Sequence, residues 1–184
     1  MKKIYTISQD MKYANAVTVD EDDVLKCSFE GIPQGESWEP VAIRSPFKSK
    51  KIADFMYWTP ASIVASQKAV DLLAPIVSPY VEVLPLECGW GNYYILNVTH
   101  LIDCINYAES EYIPFGDGKT PYGAPRVLMI TKHVFFADRI SGIPIFKDVN
   151  RPKIPLYVSD AFVDCVEANG LKGLKFNMVW EECQ

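Results

Sequence analysis

Twice along this chain an apolar strand runs into a serine, an amphipathic helix and a second strand. The first pass is Ile63-Val64-Ala65-Ser66, then Gln67 to Leu73, then Val81 to Leu86. The second is Leu156-Tyr157-Val158-Ser159, then Asp160 to Ala168, then Leu174 to Val179. In each, the apolar period changes at a residue suited to cap a helix, so strand, cap and helix agree on where one element stops and the next begins. In the first cassette Ala69, Leu72, Leu73 and Ile76 fall at helical spacing, while Gln67, Lys68 and Asp71 take the outer face. Pro75 predicts that this helix ends or bends there, and Ser78-Pro79 breaks the path to the next strand. In the second, Phe162, Cys165 and Val166 share a face, Asp160 sits in the first turn, and Gly170 is placed as a left-handed stop. The last strand alternates apolar and polar, as a half-buried strand should.

The rest of the chain is less regular. Lys3 to Ile7, Ala16 to Val19 and Val24 to Phe29 read as strands, with the acidic run Asp20 to Asp23 as a turn. Gly31 to Pro40 reads as an irregular excursion pinned by Trp38, and Arg44, Lys48, Lys50 and Lys51 as a solvated basic patch. Pro85 points to a sheet edge or a strand end. Gly89-Trp90-Gly91-Asn92 turns the chain into Tyr93 to Val98 as a hairpin. Thr99 is expected to cap a short helix holding Leu101, Ile102 and Ile105 inward, with Cys104 beside them. Glu109 to Pro125 is expected to be a long surface loop, Arg126 to Thr131 a strand, and Val134 to Asp138 either strand or helix. The expected fold is α+β: a single domain over residues 1–184, with a largely antiparallel sheet and a few short helices. Residues 1–37 are its least assigned part.

With 49% hydrophobic and 22% charged residues, the 184-residue chain has the composition of an ordinary globular protein. Its net charge of −5 argues against a nucleic-acid partner, which requires a positive face. No run of 18 apolar residues occurs, and the start Met1-Lys2-Lys3-Ile4-Tyr5-Thr6 lacks a signal-peptide core, so neither membrane insertion nor secretion is expected and a cytoplasmic location is. Cys27, Cys88, Cys104, Cys165 and Cys183 are scattered, with no Cys-x-x-Cys pair. They read as reduced, mostly buried thiols rather than a disulfide framework or zinc site. No metal and no cofactor are expected.

Candidate chemistry is sparse. His100 and Cys104 stand at i, i+4, which on a helix would place them on one face, with Asp103 as an orienting group. That is the best Cys-His arrangement in the chain. Against it, Cys104 lies between Ile102 and Ile105 and has the setting of a small core residue. The carboxylates, such as Glu109 with Glu111 or Glu181 with Glu182, sit in loop-like or terminal sequence with nothing to separate their pKa values. No catalytic residue is therefore assigned. The aromatic turn at Trp90, followed by Tyr93 and Tyr94, has the composition of a protein-binding hot spot. Glu87, Trp90, Tyr93, Glu109 and Glu111 are the residues put forward for contact with a protein partner.

Four ordered pieces carry a resemblance. They are Trp38-Glu39-Pro40 with Asp54-Phe55; Val83-Leu84-Pro85-Leu86-Glu87 with Tyr93-Tyr94-Ile95-Leu96-Asn97-Val98 and Asp103-Cys104; Ile145-Phe146-Lys147; and Leu156-Tyr157-Val158-Ser159 through Gly170-Leu171-Lys172-Gly173-Leu174-Lys175-Phe176. Together, over about Trp38 to Val179, they resemble the immunity-protein-11 family, found beside polymorphic toxins in bacteria. The resemblance implies a cytoplasmic protein that binds and neutralises a cognate toxin domain by occlusion and catalyses nothing. It transfers no catalytic residue. Two other classes stay open on the residues alone: a protein-binding accessory module of a defence or secretion system, and a small enzyme using Cys104 and His100.

Overall fold

A computed structural model describes residues 2–23, 29–47, 49–59 and 62–182. Most of the strand expected at Val24 to Phe29 lies outside these residues, as do Lys48 of the basic patch, Cys27 and Cys183. In chain order the elements are β1 (Lys3–Gln9), β2 (Val17–Thr18), β3 (Val41–Arg44), β4 (Phe55–Thr59), β5 (Ser62–Ser66), α1 (Gln67–Val77), β6 (Val81–Glu87) and β7 (Tyr93–Val98). There follow β8 (Leu101–Ile102), β9 (Glu111–Lys119), β10 (Pro125–Lys132), β11 (Ile145–Asp148), β12 (Leu156–Ser159), α2 (Asp160–Ala168) and β13 (Leu174–Glu181). The fold is α+β. Strands in the order β2-β3-β6-β7-β5-β4 make one sheet, β13-β1-β12-β11-β8 make another, and β9 and β10 pair alone. All pairings are antiparallel except β3 with β6 and β8 with β11.

The two cassettes build the core between the sheets. Ala69, Leu73 and Val77 of α1 meet Phe162, Val163 and Val166 of α2. The same cluster takes Ile63 and Ala65 from β5 and Leu156 and Val158 from β12. The alternate residues face away: Val64 joins Met56, Leu84 and Ile95 behind the six-stranded sheet, and Tyr157 joins Phe135 and Phe146 behind the five-stranded one. These strands are buried on both sides, which is why they read as continuous apolar runs.

The caps differ in a way the repeat hides. Ser66 Oγ accepts from the Ala69 amide at 3.2 Å, as expected of a cap. Ser159 occupies the same position but makes no side-chain cap bond, contrary to expectation. The neighbouring Asp160 carboxylate instead accepts from the Lys3 amide at 3.0 Å and the Tyr5 hydroxyl at 3.1 Å, tying α2 to β1. Gly170 does stop α2, at φ +61°. Its amide bonds Glu167 O and the Leu171 amide bonds Val166 O, the paired bonds of a Schellman turn, with Val166 and Leu171 both in the core. Pro75 is carried inside α1, which ends two residues later at Val77. At Pro85 the edge expectation holds locally. Strand β3 reaches β6 only at Leu86 and Glu87, and the Pro85 carbonyl accepts the Trp38 indole N–H at 2.9 Å.

The link from α2 to β13 fastens one sheet to the other. The Phe55 amide donates to Lys172 O at 2.8 Å, the Lys172 amide to Asp54 Oδ2 at 2.9 Å, and the Asp10 amide to Gly173 O at 3.0 Å. Gly173 lies at φ +117°, and a Cβ there would fall 1.9 Å from the Phe55 carbonyl oxygen.

Three expectations are corrected. Leu101 and Ile102 form strand β8, not a helix capped by Thr99. Their segment spends its backbone groups on the parallel pairing with β11, through Lys147 N to His100 O at 3.0 Å and Val149 N to Ile102 O at 2.9 Å. Glu109 to Pro125 is not a loop. Residues 111–119 pair with 125–132 as a ribbon, whose register shifts absorb the irregular residues Pro114, Gly116 and Gly118. Val134 to Asp138 is neither extended strand nor helix; Phe135 makes a single bridge to Ile105.

Candidate functional site

The residues put forward from sequence scatter. Glu87 is exposed at the end of β6, and Trp90 is half-buried in the hairpin turn. Trp90 packs edge-to-face on Tyr93 with ring centroids 6.2 Å apart. Tyr93 itself is only 8% exposed and donates its hydroxyl to the Ala53 carbonyl at 2.9 Å, so of the aromatic cluster expected there only Trp90 and Tyr94 remain partly exposed. Glu109 and Glu111 are exposed where the ribbon begins, and Glu111 pairs with Lys132 at 3.4 Å. Glu87 and Trp90 thus belong to one sheet and the ribbon glutamates to another, and no hydrogen bond or ion pair joins the two groups among the described residues.

The Cys-His arrangement is not formed. With no helix at Thr99 to Ile105, the i, i+4 argument lapses. Cys104 is fully buried, and burial pushes its thiol well above the ordinary range. His100 is half-buried with its ring edge-on to Tyr80, and burial lowers its pKa. Asp103 is engaged by Arg139 at 2.6 Å. Of the other described cysteines, Cys88 and Cys165 are half-buried rather than buried. Among the described residues no cluster of His, Cys, Asp and Glu side chains is placed to hold a metal ion. None of the described helices is long and apolar enough to cross a membrane.

The structure instead gathers an apolar surface on the β9–β10 ribbon. Ile113 and Phe115 on β9, Tyr122 in the turn, and Leu128 and Met129 on β10 are all exposed, with Leu128 at 58%, and Ile154 joins them from the neighbouring loop. Between β10 and the loop at 150–155 runs a cleft in two adjoining parts. One, of about 430 Å³, is walled by Phe115, Val127 and Leu128 on one side and Pro152 and Ile154 on the other. The other, of about 450 Å³, shares Leu128, Arg151 and Ile154 with it and extends to Ile113 and His133. Isolated exposed apolar residues are ordinary; a contiguous set lining a groove marks a binding surface.

A polar network fixes the ribbon to the body. Thr120, in the turn, donates to Asn150 Oδ1 at 2.6 Å, and Asn150 Nδ2 donates to Asp103 and to Asp148. Tyr107 donates its hydroxyl to Asp148, and its ring meets Tyr112 of β9 edge-on at 6.1 Å. Asp148 and Lys147 are both fully buried on β11. Burial raises the Asp148 carboxyl, although Tyr107 and Asn150 bond its charged form. Burial brings Lys147 down to about 8, and its ammonium donates to Phe29 O at 2.7 Å. At the inner end of the cleft His133 lies parallel to Phe135 and 3.0 Å from the Tyr157 hydroxyl, its pKa lowered to about 4 by burial. It is a neutral imidazole at physiological pH.

The apolar surface was missed in the sequence because Glu109 to Pro125 carries so many turn residues. One signal was present. Val127-Leu128-Met129-Ile130 is an unbroken apolar run, and a strand with only one neighbour and one covered face has to expose part of such a run.

A family model described as Immunity protein family (Imm11) matches residues 89–181. The matched span holds the ribbon, the buried Lys147–Asp148 pair and the second cassette. It leaves out the first cassette and the pieces around Trp38 and Val83. No curated protein matches the chain.

Proposed function

This chain belongs to the Immunity protein family (Imm11), and on that premise we propose that it binds a cognate toxin domain in the cytoplasm and neutralises it by occlusion, with no chemistry of its own. The observation that carries this reading is the contiguous apolar surface of Ile113, Phe115, Leu128, Met129 and Ile154, which lies within the family-matched residues. A stable complex requires about 1,600 Å² of buried surface with an apolar centre and a polar rim. The ribbon supplies such a centre, and Glu109, Glu111, Arg126 and Lys132 stand around it as rim. Glu87 and Trp90, at the β6–β7 turn, do not line this groove. The net charge of −5 favours encounter with a basic partner and affects association rate more than affinity.

The test is co-expression with the C-terminal domain of a toxin encoded beside this gene. Rescue of growth together with a complex that co-purifies is the expected result. A complex without rescue would assign the chain to the accessory-module class instead, and the absence of any complex would end both readings.

A further inference from the structure

The exposed groove beside β10 has a free strand edge along one wall, and that edge narrows what can occupy it. Among the described residues the β9–β10 pair hydrogen-bonds to no third strand, and no strand pairs with either of its two outer edges. They are not equivalent. Strand β9 carries Pro114, which has no amide to give, and two glycines at φ +66° and +122°, devices that blunt an edge. Strand β10 begins at Pro125 but has no proline or glycine beyond that first residue. Register shifts leave Arg126, Leu128 and Thr131 without a residue directly opposite on β9, although Thr131 Oγ1 donates to the Glu111 carbonyl at 3.1 Å. The Leu128 carbonyl is taken from outside the ribbon by the Arg151 guanidinium at 3.3 Å, at the long end of a hydrogen bond. The groove therefore has a strand edge along one wall, with the Leu128 carbonyl facing out of the ribbon, and apolar side chains around it, the two elements that strand addition uses for affinity and for side-chain selection.

Charge separates the possible occupants. Strand β10 carries Arg126 and Lys132 and no acid, with Lys132 paired to Glu111 of β9 at 3.4 Å. Arg151 and Lys153 stand on the opposite wall, with Glu30 paired to Lys153 at 2.9 Å. A second copy would present the same basic residues on its own β10 and no acid, and so would bring no counter-charge to Arg126 or Arg151. A strand with alternating apolar residues and acidic flanks would bring it.

We infer that β10 receives an extended segment of the toxin domain, apolar at alternate positions and flanked by carboxylates, which adds to the ribbon as a third strand and displaces Arg151 from the Leu128 carbonyl. This rests on the toxin-binding reading above and specifies where and how the toxin is held.

The experiment is amide hydrogen exchange on the wild-type chain, free and in complex with the co-expressed toxin domain, combined with binding kinetics of two variants. Protection by at least tenfold confined to peptides covering 125–132 is expected, with β9 little changed. Leu128→Pro removes the amide of the residue whose carbonyl faces the groove and should weaken binding by tenfold or more. Arg126→Glu should slow association by about tenfold. A toxin complex that leaves 125–132 unprotected, or both variants binding as wild type, would overturn this inference while leaving the toxin-binding reading intact. Concentration-dependent protection of β10 in the free chain would show self-pairing and overturn it as well. No complex at all would remove both.

Discussion

Replacing Gly173 by alanine tests how the two sheets are fastened. At φ +117° an L-residue is strained, at a cost of about 1–3 kcal/mol. The larger effect is contact. The new methyl would lie 1.9 Å from the Phe55 carbonyl oxygen, 2.8 Å from its carbon and 3.1 Å from Ala53 Cβ. The first two are backbone atoms, so no rotamer change relieves the clash. The 172–173 link must lift off β4, which stretches or breaks the 2.8 Å bond from the Phe55 amide to Lys172 O. Leaving that amide unsatisfied in the core costs a further 1–3 kcal/mol or so. The sum is about 2–6 kcal/mol, or a fall in Tm of roughly 4–24 °C for a chain of this length. Gly170→Ala is the control. It shares a positive φ, +61°, but a Cβ there meets nothing within 4 Å, so it should cost only about 1 kcal/mol. Urea unfolding of the two variants beside wild type measures both. Equal destabilisation would refute the close approach of the α2–β13 link to β4.

Three further outcomes follow from the same coordinates. Phe162→Ala, at a fully buried position between the helices and both sheets, should cost about 3–5 kcal/mol in denaturant unfolding. In native labelling with a thiol reagent and peptide mapping, Cys88 and Cys165 should react well before Cys104, which should label only on unfolding; early labelling of Cys104 would revive the Cys-His enzyme class. For His133, the folded pKa near 4 lies below the unfolded value of about 6.5. The unfolded chain therefore binds the extra proton first, so stability is full above about pH 6.5 and declines as pH falls toward 4. Asp148, whose folded pKa is raised, works in the opposite sense. His133→Gln should flatten the decline, seen as a smaller change in urea midpoint between pH 7 and pH 4.5.

Where local signals agreed, the sequence was legible. Strand, cap position, helix face and Gly170 stop all pointed one way in the second cassette, and the Schellman bonds at Gly170 and Leu171 bear that out. The turn at Gly89 to Asn92 likewise joined two strands of clear period. Errors arose where tertiary pairing decided. Thr99 and the apolar residues after it suit a helix start, but β11 offered a parallel partner, and two residues were enough to form β8. Pro114, Gly116 and Gly118 are each poor strand residues, yet a two-stranded ribbon tolerates register shifts that an interior strand would not. Ser159 shows the limit of a matched motif. Its position is that of a cap, but Asp160 and the amide of Lys3 do the tying. The candidate surface was least legible, since exposure of Leu128 or Phe115 depends on what fails to cover them. No local pattern encodes that.

Strand β1 has a consequence in time. It lies between β12 and β13, pairing Tyr5 with Val158 on one side and with Met178 on the other. Residues 3–9 are made before both neighbours, and β1 cannot be paired on both edges until translation has passed residue 181. Closing it over so long a stretch of chain is the slow kind of contact to make. The same order bears on how the protein is cut. The family-matched span 89–181 includes β12 and β13 but not the strand that separates them. Expressed alone it would have to leave a gap in its sheet or bring together two strands that do not meet in the whole chain.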